Sequence, residues 1–269
     1  METILKETFA RTISVSGSLE NDPIVAPQAQ GTFFITLKPD AKALKLNITM
    51  QEESHLQLFI YNQAESAADV DIRIEMQKDA VCRMGLLDLQ NAPLHWNQLV
   101  ELQNEGADFE ILSGQLCMAD QKKTGDLEVR HTAGHTHGEI RNFAVLLDRG
   151  NYEMVANGNI EKNCPEAQSH QATRVLTLGE DHTAKVIPLL LIDENEVKAS
   201  HALTIGQPDE EQLYYLQSRG LTTKQAIGLL SVGYFLPVLD MIEDQDLHDR
   251  IRAEMESKVG LNGRTSDTE

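Results

Sequence analysis

Nine histidines and three cysteines are the side chains of this 269-residue chain best suited to hold a metal or carry redox chemistry. His131, His135 and His137 lie close together. In a strand, His135 and His137 would share one face, a spacing compatible with two metal ligands, but the same residues could simply line a strand surface. His201 follows Lys198-Ala-Ser at the point where strand-like sequence gives way to helix-like sequence. A neutral imidazole there is a competent transition-metal ligand, or it closes a strand by hydrogen bonding to a backbone carbonyl. Cys82, Cys117 and Cys164 are far apart, odd in number and free of Cys-x-x-Cys spacing. They indicate neither a disulfide framework nor a structural zinc site and read as buried thiols. No nucleophile elbow, phosphate-binding glycine loop or zinc-protease motif is visible, so nucleotide hydrolysis would belong to a partner.

The elements that must position these residues are of two kinds. Short period-two runs follow one another from Phe33–Leu37 and Leu44–Met50 through Leu127–His131, Ile140–Leu147, Tyr152–Ile160 and Ala172–Leu178. Polar corners such as Lys-Pro-Asp and Gln-Lys-Asp separate them, and no convincing helix precedes Asp209. Two architectures fit: an antiparallel multi-sheet sandwich, or a parallel β-helix of stacked coils. No strict short repeat decides between them. Residues before Pro27 alternate only weakly.

Helices follow. Asp209 with Gln212 makes a capping-box pattern, Glu210 and Glu211 suit a helix start, and Arg219-Gly220 suits its end, with Leu213 and Leu216 to one side. A second helix is predicted from Thr222, with Gln225 in the capping-box position and a stripe at Ala226, Leu229, Leu230 and Gly233 that Pro237 interrupts. A third carries Leu247, Ile251, Met255 and Val259 to Gly260, before a polar end at 262–269. So small a helical unit must pack on the strand body, on a second protein, or on both.

With 23 basic and 42 acidic side chains the net charge is −19, which disfavours nucleic acid and anionic membranes as partners. No apolar run approaches the roughly 20 residues that span a bilayer, and Met1–Glu7 lacks a basic region followed by a hydrophobic stretch, so a cytoplasmic location is expected.

The stretch from Ser200 to Gly220 resembles the signature of the SufB/SufD family of iron-sulfur cluster assembly proteins, closest to SufD-like members. That signature runs Cys-Ser-His-Gly-Ala-Thr-Val-Gly, then Asp-x-x-x-Leu-Phe-Tyr-Leu, then Ser-Arg-Gly. Ser200, His201, Thr204, Gly206, Asp209, Leu213, Tyr215, Leu216, Ser218, Arg219 and Gly220 match in order. Ala199 stands where the pattern often has Cys, and Ala202-Leu203 replaces Gly-Ala. Upstream, Gln171, Leu176, Leu178, Pro188, Leu190 and Ile192 match, and His131-Thr-Ala-Gly-His135-Thr136 is similar to a family His-x-x-Pro-His-Thr segment.

The resemblance implies a mainly β fold: a right-handed parallel β-helix followed by a small C-terminal helical subdomain, without the long helical N-terminal domain of many members. The expected boundaries are an N-terminal segment over 1–30, a β-helix core over 31–205, the helical subdomain over 206–260 and a flexible tail over 261–269. It also implies a scaffold rather than an enzyme. The helices would dock the ABC-type ATPase SufC, with Asp209, Leu213, Tyr214, Leu216, Arg219, Leu229, Leu230 and Phe235 as contact or core residues. The last β-coil would pair with a SufB-like subunit or with a second copy in a homodimer. His201 matches the family histidine attributed to cluster assembly at that interface, and any iron-sulfur cluster there would be transient, since Ala199 cannot be a ligand. Two other readings stay open: a β-helical carbohydrate-active enzyme with paired carboxylates, and a structural paralogue that docks the ATPase without cluster chemistry.

Overall fold

The computed structural model describes residues 4–178 and 180–259; the tail expected over 261–269 and the helix end at Gly260 lie outside them. Among the described residues, seventeen strands precede three helices. The strands are β1 (Ile4–Leu5), β2 (Thr8–Val15), β3 (Ser18–Asn21), β4 (Ile24–Val25), β5 (Gln30–Leu37), β6 (Ala43–Met50), β7 (His55–Asn62), β8 (Ala68–Met76) and β9 (Val81–Asp88). They continue as β10 (Leu94–Leu102), β11 (Asp108–Cys117), β12 (Lys122–His131), β13 (His137–Leu146), β14 (Asn151–Ile160), β15 (Gln168–Thr177), β16 (Thr183–Ile192) and β17 (Lys198–Gly206). The helices are α1 (Glu210–Ser218), α2 (Thr223–Leu239) and α3 (Gln245–Lys258).

Consecutive strands never pair. Even-numbered strands from β4 to β16, with β1 and β3, form one sheet; β2 and the odd-numbered strands from β5 to β17 form the other, and every pairing is parallel. The chain therefore winds alternately through two facing sheets as a parallel β-helix, and the sandwich alternative is excluded. The first rung pairs β2 with β5, so the winding begins before residue 31.

Alternation along each strand explains the layers. In β8 every second residue, Ala68, Val70, Ile72, Ile74 and Met76, points between the sheets while the intervening residues face out. Stacked rungs place like on like and build one apolar column inside the solenoid. One corner repeats through six successive coils. Gln28, Glu53, Asp79, Gly106, His135 and Glu166 adopt left-handed backbone, each followed by a small buried residue: Ala29, Ser54, Ala80, Ala107, Thr136 and Ala167. Their amides bond across to the next coil, as in Glu53 to Lys78 O (2.9 Å) and His135 to Pro165 O (2.8 Å).

The outer face of the odd-numbered sheet is apolar along Phe59, Tyr61, Leu87, Leu112, Leu116, Phe143 and Val145, and α2 and α3 cover it. Phe235 of α2 sits against Gly114, where an added Cβ would come within 2.9 Å of its ring. Glu254 of α3 accepts hydrogen bonds from Tyr61 Oη and from Gln90 Nε2 (3.0 Å), which fastens that helix to the strands. The capping box at Thr222 and Gln225 forms as predicted. Two expectations fail. Helix α2 runs through Pro237 to Leu239, because a proline in the last turn forfeits only one hydrogen bond there. Its buried face is Ala226, Gly228, Ser231, Val232, Phe235, Val238 and Leu239 rather than the stripe through Leu229 and Gly233. Apolar residues surround this helix, so spacing alone does not choose a face.

Candidate functional site

Among the described residues, β16 pairs only with β14 and β17 only with β15, which leaves two open strand edges side by side at the C-terminal end of the solenoid. Pro188, in the middle of β16, lacks an N–H and is tolerated because this strand has a free edge. Leu189, Leu191, Leu203 and Ile205 are exposed on these two strands, whereas strands deeper in the stack bury their apolar residues.

His201 lies on β17, exposed, in register with Gln171 on β15. Gln171 is buried, so both side chains are on the inner side of the sheet and His201 stands at the mouth of the stack. Gln171 ties the two sheets together there, its Nε2 donating to Leu189 O at 2.7 Å. Ala199, in register with Ser169, shares that inner side.

The His131–His137 segment turns a corner instead of continuing as a strand. His131 ends β12, His137 begins β13, and His135 between them has φ 54°. The two candidate ligands therefore do not share a strand face. His135 leans toward Glu166 (Nδ1 to Oε2, 3.5 Å). His137 Nδ1 is 2.9 Å from Asp108 Oδ1, and Asp108 also receives Arg83 Nη2 at 2.6 Å. The hydrogen bond to Asp108 raises the His137 pKa against the opposing effect of burial. Burial alone would raise the Asp108 carboxyl, but hydrogen bonds from His137 and Arg83 outweigh it and hold it at about 2. His131, which no resemblance assigned a role, is fully buried. Its Nδ1 is 2.8 Å from Thr136 Oγ1, and Thr136 donates to Ala133 O at 3.0 Å, so the histidine braces the corner. Gly138 leaves room for it, since a Cβ there would lie 3.0 Å from His131 Nε2.

Thiolate ligands are not on offer within the chain. Cys82, Cys117 and Cys164 are all buried, and burial pushes the Cys82 and Cys117 thiols up to about 12. Among the described residues no three His, Cys, Asp or Glu side chains converge to hold a metal ion. The residues present do not fit a cluster held by this chain alone.

The helices project a second surface. α1 buries none of its residues: Tyr214 and Tyr215 are 74% and 56% exposed, and Leu213 and Leu216 are half-buried. Asp209 caps it by accepting from Glu211 N (2.8 Å) and Gln212 N (3.1 Å), and the Arg219 guanidinium lies 5.1 Å from the Tyr215 ring centre. Leu229 is exposed on α2 and Leu230 is half-buried. Phe235, expected as contact or core, is core: no part of it reaches the surface. Among the described residues no helix is long and apolar enough to cross a membrane.

The family described as SUF system FeS cluster assembly, SufBD core domain, matches residues 24–234. The chain is 31% identical over 140 residues to the iron-sulfur cluster assembly protein SufD of Bacillus subtilis, covering 52% of this chain and 32% of that one. It is 24% identical over 188 residues to SufD of Escherichia coli, covering 68% and 44%. It is 25% identical over 213 residues to the chloroplastic protein ABCI7 of Arabidopsis thaliana, covering 77% and 44%. The matched regions span about a third to a half of those relatives.

Proposed function

The chain belongs to the SufB/SufD family of iron-sulfur cluster assembly proteins, and from that premise we propose that it is a scaffold subunit with two separate docking surfaces. One is the open final coil, which pairs with a second SufB/SufD-like subunit, a SufB-like protein or another copy. The other is the α1–α2 surface around Tyr214, Leu216 and Leu229, which binds a SufC-like ABC-type ATPase. A nascent cluster is cargo at the first surface, touched transiently by His201 and completed by ligands from the opposite subunit. The carbohydrate-active reading of a β-helix gives way to the family assignment.

One observation carries this reading: free strand edges, exposed Leu191, Leu203 and Ile205, and a histidine at the mouth of the stack all coincide at one end of the solenoid. Backbone donors and acceptors in an open edge are satisfied by another strand, and the exposed apolar residues supply area for burial. Leu191→Asp combined with Ile205→Asp should abolish pairing with the second subunit, read by analytical ultracentrifugation, while ATPase binding persists. Tyr214→Ala with Leu229→Asp should do the reverse in co-purification. Deleting everything from Asp209 onward would be a poor test, because α2 and α3 cover an apolar sheet face.

A second reading is favoured by the buried cysteines and by Ala199: a paralogue that keeps both docking surfaces and has lost cluster chemistry. Anaerobic reconstitution of the paired subunits with iron and sulfide separates the two. Cluster absorbance in wild type that falls in His201→Ala supports the first reading; wild-type subunits that form no cluster absorbance support the second.

A further inference from the structure

On the outer face of the odd-numbered sheet two histidines from adjacent strands approach each other. His137 of β13 and His170 of β15 have ring centres 6.0 Å apart, inclined at 48°. His137 Nδ1 is engaged by Asp108 Oδ1 at 2.9 Å and His170 Nδ1 by Ser200 Oγ at 2.8 Å. When each Nδ1 carries the proton, donated to the carboxylate in one case and to the hydroxyl in the other, both Nε2 atoms present lone pairs. A ligating imidazole is oriented in this way by an outer partner on its second nitrogen.

We propose that His137 and His170 are the protein ligands of a labile site for a divalent first-row transition metal, with water completing the coordination. Two imidazoles on a tetrahedral ion with metal–nitrogen distances of about 2.0–2.1 Å would have ring centres about 5 Å apart, so closure requires a shift of about 1 Å. His137 is partly exposed and His170 lies in an exposed hydrogen bond, so the rings have room to move. Glu139, two residues after His137 and in register with His170, is held by Arg141 Nε at 3.3 Å and is not counted as a ligand. Its charge still helps: Asp108, Glu110 and Glu139 give three carboxylates against the two guanidinium groups of Arg83 and Arg141. The site faces outward, on the side of the sheet opposite His201. Ser200 on the final coil links it to the open end.

The full chain is titrated anaerobically with Zn2+, and with Co2+ as a spectroscopic probe, by calorimetry and visible absorption. One equivalent should bind. His137→Asn and His170→Asn should each weaken it at least about tenfold, Asp108→Asn about tenfold through loss of the outer partner, and His135→Asn should leave it unchanged. On the wild-type chain alone, Zn2+ should move the Nε2 resonances of His137 and His170 together, a readout independent of whether any variant folds. Absence of an equivalent, retention in both His137→Asn and His170→Asn, or loss in His201→Asn alone would overturn the proposal. None of these results depends on cluster reconstitution, so this site and the interface reading succeed or fail separately.

Discussion

Acid should loosen this protein through His131 in a window that the structure defines. The ring is fully buried, and desolvation, aided by the nearby His137 charge, lowers its pKa from 6.5 to about 4. In the unfolded chain it regains the ordinary value. Between about pH 6.5 and pH 4 the unfolded state therefore takes up a proton that the folded state refuses, and stability falls as pH falls. Above 6.5 the contribution is intact, and below 4 nothing more is lost. A drop from 6.5 to about 4, at about 1.4 kcal/mol per unit, amounts to about 3 kcal/mol. His131→Asn keeps a donor where Nδ1 meets Thr136 but cannot titrate. Urea unfolding of both proteins at a series of pH values isolates the effect from the chain's other titrating groups. The stability advantage of wild type over His131→Asn should shrink by about 3 kcal/mol between pH 7 and pH 4. Parallel curves would refute the claim that this histidine is buried in its neutral form.

Three further expectations concern packing. Lys123 and Asp88 form an ion pair inside the solenoid, 2.7 Å apart and both wholly buried; Lys123→Met should cost about 3–5 kcal/mol by stranding the carboxylate, and Lys123→Met with Asp88→Leu should recover most of it, as judged by urea midpoints. Phe235→Ala should cost about 3–5 kcal/mol and speed amide exchange in α2 and α3 before it does so in the strands, because the ring fills the space left by Gly114. Thr222→Ala should cost about 1 kcal/mol by removing the cap of α2, seen as a small fall in thermal midpoint.

Much of this architecture is legible in the residues, and the remainder is hidden for physical reasons. Alternation at Val70–Met76 or Leu94–Leu102 identifies strands, but a buried face alternates in the same way in a sandwich and in a coil. The stacked corner does leave a trace, an Ala, Ser or Thr after each left-handed residue. Its spacing grows from 25 residues, Gln28 to Glu53, to 31, His135 to Glu166, so no fixed period shows. That drift also hides His170. Its proximity to His137 depends on the length of one coil, whereas His135 and His137, two apart in sequence, are parted by a turn. The caps of α1 and α2 are local and were readable; the inward face of α2 is set by the sheet beneath it.

The growth in coil length has a geometric corollary. The offset between stacked strands rises from 22 residues, Thr8 to Gln30, to 32, Asn151 to Thr183, and the strands lengthen from eight residues to ten along the way. The winding thus flares like a trumpet, and its bell is the end left uncovered. A partner meeting that rim meets wider coils than the first ones, even though the last strand, β17, shortens to nine residues.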